Sequence, residues 1–342
     1  MFTRKTVFVV GAGASVEVGL PPGSVLKTAI AKKLAVNERG FVDEGIRQAV
    51  AVLIEKSRNT ISWALYQDAA IKIARAMPAA LSIDNFLHTH ANDEKLVTIG
   101  KLAIAACILD AERKSILRSG QAKSVIDNAE KYWANTFCKI LTEQVQVNDL
   151  EDLFANVTIV TFNYDRCIEL YVAQYLTTYF LLKPSDANAL ARKLNVLHPY
   201  GQVGQLPWDR RSEFLPIDFG SAIHPEQLVE CVDQIYTFTE QRTEPKVIQK
   251  VHQAVSTASC IVFLGFAYHD LNMAILTPDV IANPKIIYGT AFGVSDQNVA
   301  RIHTSVRNAL SHAIAGSPEF DMSESNVGCN QFLEDYWRPI FN

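Results

Sequence analysis

The chain has 342 residues, 49% of them hydrophobic, and a formal net charge of −4. That length holds two domains, or one large domain with an insertion, and the negative balance argues against direct nucleic-acid binding through an extended surface. Six cysteines at 107, 138, 167, 231, 260 and 329 form no CxxC pair, which suits a reducing compartment, and no stretch approaches the ~20 apolar residues of a membrane span.

The first predicted strand is "TVFVVG" (6 to 11). Arg4 and Lys5 precede it and Ala12-Gly13-Ala14 resembles a cleavage site, as in an export signal. The apolar core, Val7 to Val10, is far short of the ~7–15 residues such a signal needs. The expectation is a cytoplasmic protein. The following loop, "GAGASVEVGLPPG", opens as a dinucleotide-binding G-x-G-x-x-G does, but Val16 stands at the third glycine. Glu38, the nearest acid at ribose-binding distance, lies in no strand-like stretch. Glycines here serve either a tight bend or a phosphate, since they let backbone amides approach a ligand closely.

From about 41 to 150 the composition turns to Ala, Leu, Ile, Lys, Glu and Gln. Apolar residues recur at three and four in "LVTIGKLAIAACILDAERKSIL" (96 to 117), and four or five helices are predicted, with caps at Ser82 and Asp93. His88 and His90 are spaced like metal ligands, but no third ligand is evident and no metal is expected. Next come "NVTIVTFN" (156 to 163), "LNVLH" (194 to 198), "CIVFLGF" (260 to 266) and "KIIYGT" (285 to 290). Short continuous runs of Val, Ile and Phe suit parallel strands buried on both faces. Helical stretches at 165 to 182 and 244 to 257 lie between them, and the Arg210-Arg211 pair reads as a solvated loop. Strand–helix alternation predicts an α/β, doubly wound, mostly parallel Rossmann-like sheet with a large all-helical insertion after the first strand–helix unit. The domain reading is 1–40 with 151–342 as the α/β part and 41–150 as the insertion.

Ligands of such sheets bind beyond the carboxyl ends of the strands. Gly11 and Gly13 follow the first strand, Asn163 and Asp165 the second, His198 the third, Gly265 and Asp270 the fourth. Asn163 and Asp165 leave one face of extended chain, with Tyr164 turned toward packing. That pair serves either a ligand or the cap of the next helix. Pro199 biases His198 toward extended geometry.

In their order and spacing, "GAGASVEVGLPPG", "TFNYD", "LHPYG" and "IVFLGFAYHD" resemble the sirtuin-like NAD-binding domain, closest to its bacterial branch of anti-phage defence NAD hydrolases. The resemblance implies that Gly11, Ala12, Gly13, Ala14 and Ser15 embrace the diphosphate of NAD. It implies further that Asn163 and Asp165 hold the nicotinamide ribose, that His198 is the catalytic histidine, and that Gly265 and Phe266 line the adenosine side. Pro21, Thr161 and Asp270 complete the implied binding set. The four-cysteine zinc module of protein-deacylating sirtuins has no counterpart, and their His-Gly dipeptide is replaced by His198-Pro199-Tyr200-Gly201. Both departures favour water over acyl-lysine as acceptor. The expected activity is hydrolysis of NAD+, as substrate rather than cofactor, to nicotinamide and ADP-ribose, depleting cellular NAD during infection. The alternatives are a non-catalytic NAD or ADP-ribose sensor, a deacylase, and an oxidoreductase weakened by Val16. The family role implies an off state. With the apolar surplus of the helical block, it predicts a homo-oligomer and a separately encoded partner such as a HerA-like ATPase translocase.

Overall fold

A computed structural model describes residues 2–58, 62–118, 125–209, 216–243, 246–311, 319–322 and 327–341; the Arg210-Arg211 pair lies outside them. The predicted buried runs form strands β1 (Thr6–Val10), β4 (Val157–Thr161), β5 (Asn195–Leu197), β6 (Cys260–Leu264) and β7 (Ile286–Gly289). Two further pieces were not legible in the sequence: a two-stranded antiparallel pair, β2 (Val36–Asn37) with β3 (Gly40–Phe41), and β8 (Glu319–Met322). The main sheet has the order β5-β4-β1-β6-β7-β8 with every pairing parallel. The chain therefore lays β4 and β5 outward on one side of β1, then returns to build β6, β7 and β8 on the other. This is a doubly wound Rossmann-like α/β fold, and the winding reverses between β1 and β6, where such sheets bind ligands.

All five residues of β1 are buried, because helices cover both faces of the sheet. Val7, Val9, Val160, Ile261 and Phe263 point into one core, shared with helices Glu44–Lys56, Trp63–Ala76 and Glu94–Glu112. Phe8, Val10, Ile159, Val262 and Leu264 point into the other, shared with helices Trp133–Thr142, Cys167–Tyr179 and Cys329–Phe341. The segment 41–150 is thus divided between the two faces. Its central helix, Glu94–Glu112, is buried on nearly all sides, as its near-continuous apolar sequence demands. Part of the block's apolar content is covered within the chain, with Ile99, Leu102 and Ile104 fully buried, while Val42, Leu65 and Leu81 stay exposed. Ser82 and Asp93 cap helices as predicted, accepting from the amides of Asn85 (3.0 Å) and Leu96 (3.1 Å). Among the described residues, no helix is long and apolar enough to cross a membrane.

Candidate functional site

The loops after β1 and β6 meet backbone to backbone at the point of reversal. The Gly11 amide donates to Leu264 O (2.9 Å) and the Gly13 amide to Gly265 O (3.0 Å). Gly265 has φ +57°, and a Cβ there would lie 2.1 Å from the Ala14 nitrogen. A Cβ on Gly11 would lie 2.5 Å from Gly265 O. The glycines are therefore required by close approach of two loops. Two amides that the resemblance assigns to a diphosphate are thus occupied by the neighbouring loop, and the Ala14 amide donates to Gly11 O (3.0 Å).

The end of β4 is tied to the same loop through side chains. Asn163 Nδ2 donates to Gly11 O (3.1 Å) and to Ser15 Oγ (2.9 Å), and Ser15 Oγ donates onward to Asp165 Oδ2 (2.8 Å). The other oxygen of Asp165 accepts from the Cys167 amide (3.1 Å), so Asp165 does hold the start of helix Cys167–Tyr179. Asn163 does not cap. Its own amide donates to Thr161 Oγ1 (3.2 Å), and its side chain is turned across to the glycine loop. Burial raises the Asp165 carboxyl above the ordinary carboxylate range, against the opposing pull of the Cys167 amide and the Ser15 hydroxyl. One atom in this cluster is left over. Asn163 Oδ1 is buried and accepts no hydrogen bond, although Asn163 itself is only 6% exposed. Buried polar groups without partners are rare and costly in native proteins.

His198 is reached through the Asn163 carbonyl, which lies 3.3 Å from its Nδ1. Its Nε2 lies 2.8 Å from Glu169 Oε1. Both ring nitrogens thus face acceptors, an arrangement that suits the doubly protonated imidazolium. Burial opposes the charge, but the Glu169 carboxylate and the Asn163 carbonyl outweigh it and raise the imidazole above its ordinary value. His198 and Glu169 line a cleft of ≈ 300 Å³ with Gln202, Gln205, Gln234 and Tyr236.

Gly11, Ser15, Asn163, Asp165 and His198 are therefore brought together, with Gly265 against them. Phe266 is buried in an aromatic cluster, 5.1 Å from the Phe162 ring and 5.5 Å from Phe263. Asp270 is the exposed first residue of helix Asp270–Leu276, and Pro21 lies half-buried before helix Gly23–Lys33. His88 and His90 are engaged in packing: His88 Nδ1 lies 2.9 Å from Thr239 Oγ1, and the His90 ring rests 4.5 Å from that of Phe86.

No protein-family model and no curated protein matches this chain.

What the sequence reading missed are the carboxylates behind the motifs. Glu169 stands four residues after Asp165, one helical turn on, and that spacing was the available signal. Arg166 is buried against Glu112, at the end of the long helix, and donates to Ile217 O (2.6 Å). Tyr164 donates to Asp84, whose carboxyl burial raises, and Tyr200 donates to Asn272 Oδ1 (2.8 Å). Glu17 accepts from the amides of Trp133 (2.8 Å) and Asn330 (2.9 Å), capping two helices at once. All six cysteines are buried, and burial raises their thiols, Cys107 to about 12, so none is set up as a nucleophile.

Proposed function

We propose that this chain hydrolyses NAD+ at the bond between nicotinamide and ribose, releasing nicotinamide and ADP-ribose, and that it serves as an NAD-depleting effector in bacterial anti-phage defence. The observation that carries the reading is the orphaned Asn163 Oδ1, an acceptor held rigidly where the sheet reverses its winding. A ribose hydroxyl or the attacking water satisfies it. Nicotinamide is already a cationic leaving group, so the site need only orient the ribose, tolerate an oxocarbenium-like centre and deliver water. Ser15 and Asp165 fix the Asn163 amide so that its nitrogen faces the loop and its oxygen the ligand. His198 takes the proton from water, directly or through a ribose hydroxyl, once it has given up a proton to become neutral.

The surroundings of His198 favour a second reading. With both ring nitrogens on protein acceptors, His198 resembles a structural residue, as expected in a non-catalytic NAD or ADP-ribose sensor. A deacylase remains the third reading. A cytoplasmic location, a homo-oligomer and a HerA-like ATPase partner belong to the proposal as consequences of the family likeness. Turnover of NAD+ by wild type and by Asn163→Ala separates the first two readings. The hydrolase predicts measurable wild-type turnover that falls roughly 10²–10⁴-fold in the variant. A sensor predicts binding in wild type with no turnover in either.

A further inference from the structure

The amino ends of the strands, at the opposite edge of the sheet from Asn163, hold a second concavity. It is a pocket of ≈ 240 Å³ between the starts of β1 and β4 and helix Lys246–Thr257. Thr6 and Val7, both almost fully buried, form part of its floor. Lys5 lines it from the strand side and Lys250 from the helix, both exposed, and no aspartate or glutamate lines it. Neither lysine forms an ion pair with any described residue.

The wall also carries amide N–H groups with capacity to spare. Asn195 uses one N–H of its amide on Thr158 Oγ1 (3.2 Å), and Asn156 uses one on Phe2 O (2.8 Å). Each amide keeps a second N–H, and the Thr158 hydroxyl keeps its proton. Two lysines with no acid among the lining residues make a local field opposite in sign to the chain's net −4. A concave site of that kind selects an oxyanion. Lys250 and Asn195 also border the cleft beside His198.

We infer that this pocket binds a small phosphate-bearing molecule, its phosphate oxygens held between Lys5 and Lys250. The inference does not depend on NAD cleavage. Calorimetric titration with inorganic pyrophosphate tests it in wild type, Lys5→Gln/Lys250→Gln, Lys250→Gln alone and Asn163→Ala. The expected result is saturable binding of one pyrophosphate per chain. It weakens at least about 10-fold in the double variant and several-fold in the single one, and is unchanged by Asn163→Ala. Absence of saturable binding in wild type overturns the inference. Binding indifferent to the lysines, or lost in Asn163→Ala, also overturns it, by placing the anion elsewhere.

Discussion

A histidine whose two nitrogens both donate to protein acceptors carries its state in its pKa. The His198 imidazole is raised above the ordinary value of about 6.5, so the protonated form is the one the fold favours. The linkage has a definite sign. The stability contributed is fully present below pH ~6.5 and is lost as pH rises through the folded value, because above it both states have released the proton. Wild type is therefore expected to lose stability on going from pH 6 to 9 by an amount missing in His198→Gln, measured by denaturant unfolding at each pH. Replacing Glu169 by Gln removes the carboxylate that holds the charge. The imidazole resonances then titrate at lower pH than in wild type, and an unchanged midpoint contradicts the role given to Glu169. Residues of this kind were half legible. Asn163, Asp165 and His198 announce themselves by standing directly after apolar runs, where polar side chains need a reason. Glu112 lies inside a helix of ordinary composition and Glu169 was marked only by its spacing from Asp165, and the folded chain brings them to Arg166 and His198.

At the scale of elements, the strands buried on both faces were readable because their sequences are unbroken runs of Val, Ile and Phe. The β8 sequence "EFDM" has acids at alternate positions and gave no such signal, and a pair of two-residue strands is too short for any periodicity. In sequence the glycines serve either a tight bend or a phosphate, and in the fold their tightest approach is between the loops after β1 and β6. Gly265→Ala places a methyl 2.1 Å from the Ala14 nitrogen at a residue with φ +57°. That change costs more than the ~1 kcal/mol of positive φ alone, since backbone rather than a flexible side chain must yield. A loss of about 2–4 kcal/mol in denaturant unfolding is expected, the ~1–3 kcal/mol of overfilling a packed interior added to the cost of positive φ. A loss under ~0.5 kcal/mol contradicts the described contact.

At the scale of the whole molecule, one ion pair joins the helical segment to the strand-end site. Arg166 follows Asp165 directly, and Glu112 ends the helix that fills the first core; the two side chains are 1% and 0% exposed. Breaking such a pair leaves a buried charge without its counterpart. Arg166→Met alone is expected to cost about 3–5 kcal/mol, and Arg166→Met/Glu112→Leu to recover most of it. Equal losses in the single and double variants contradict that account. The division of 41–150 between two cores was beyond the sequence, since helical spacing gives an apolar face but not the partner that covers it.

The central claim is chemical, and product analysis tests it most directly. Purified chain is incubated with NAD+ carrying label in both the nicotinamide and the adenosine halves, and the products are separated. The account predicts equal amounts of free nicotinamide and free ADP-ribose, formed at a rate that rises as pH increases through the raised value of His198. Acyl-ADP-ribose formed only with an acylated peptide present, reduction to NADH, or intact NAD+ at every pH contradicts it.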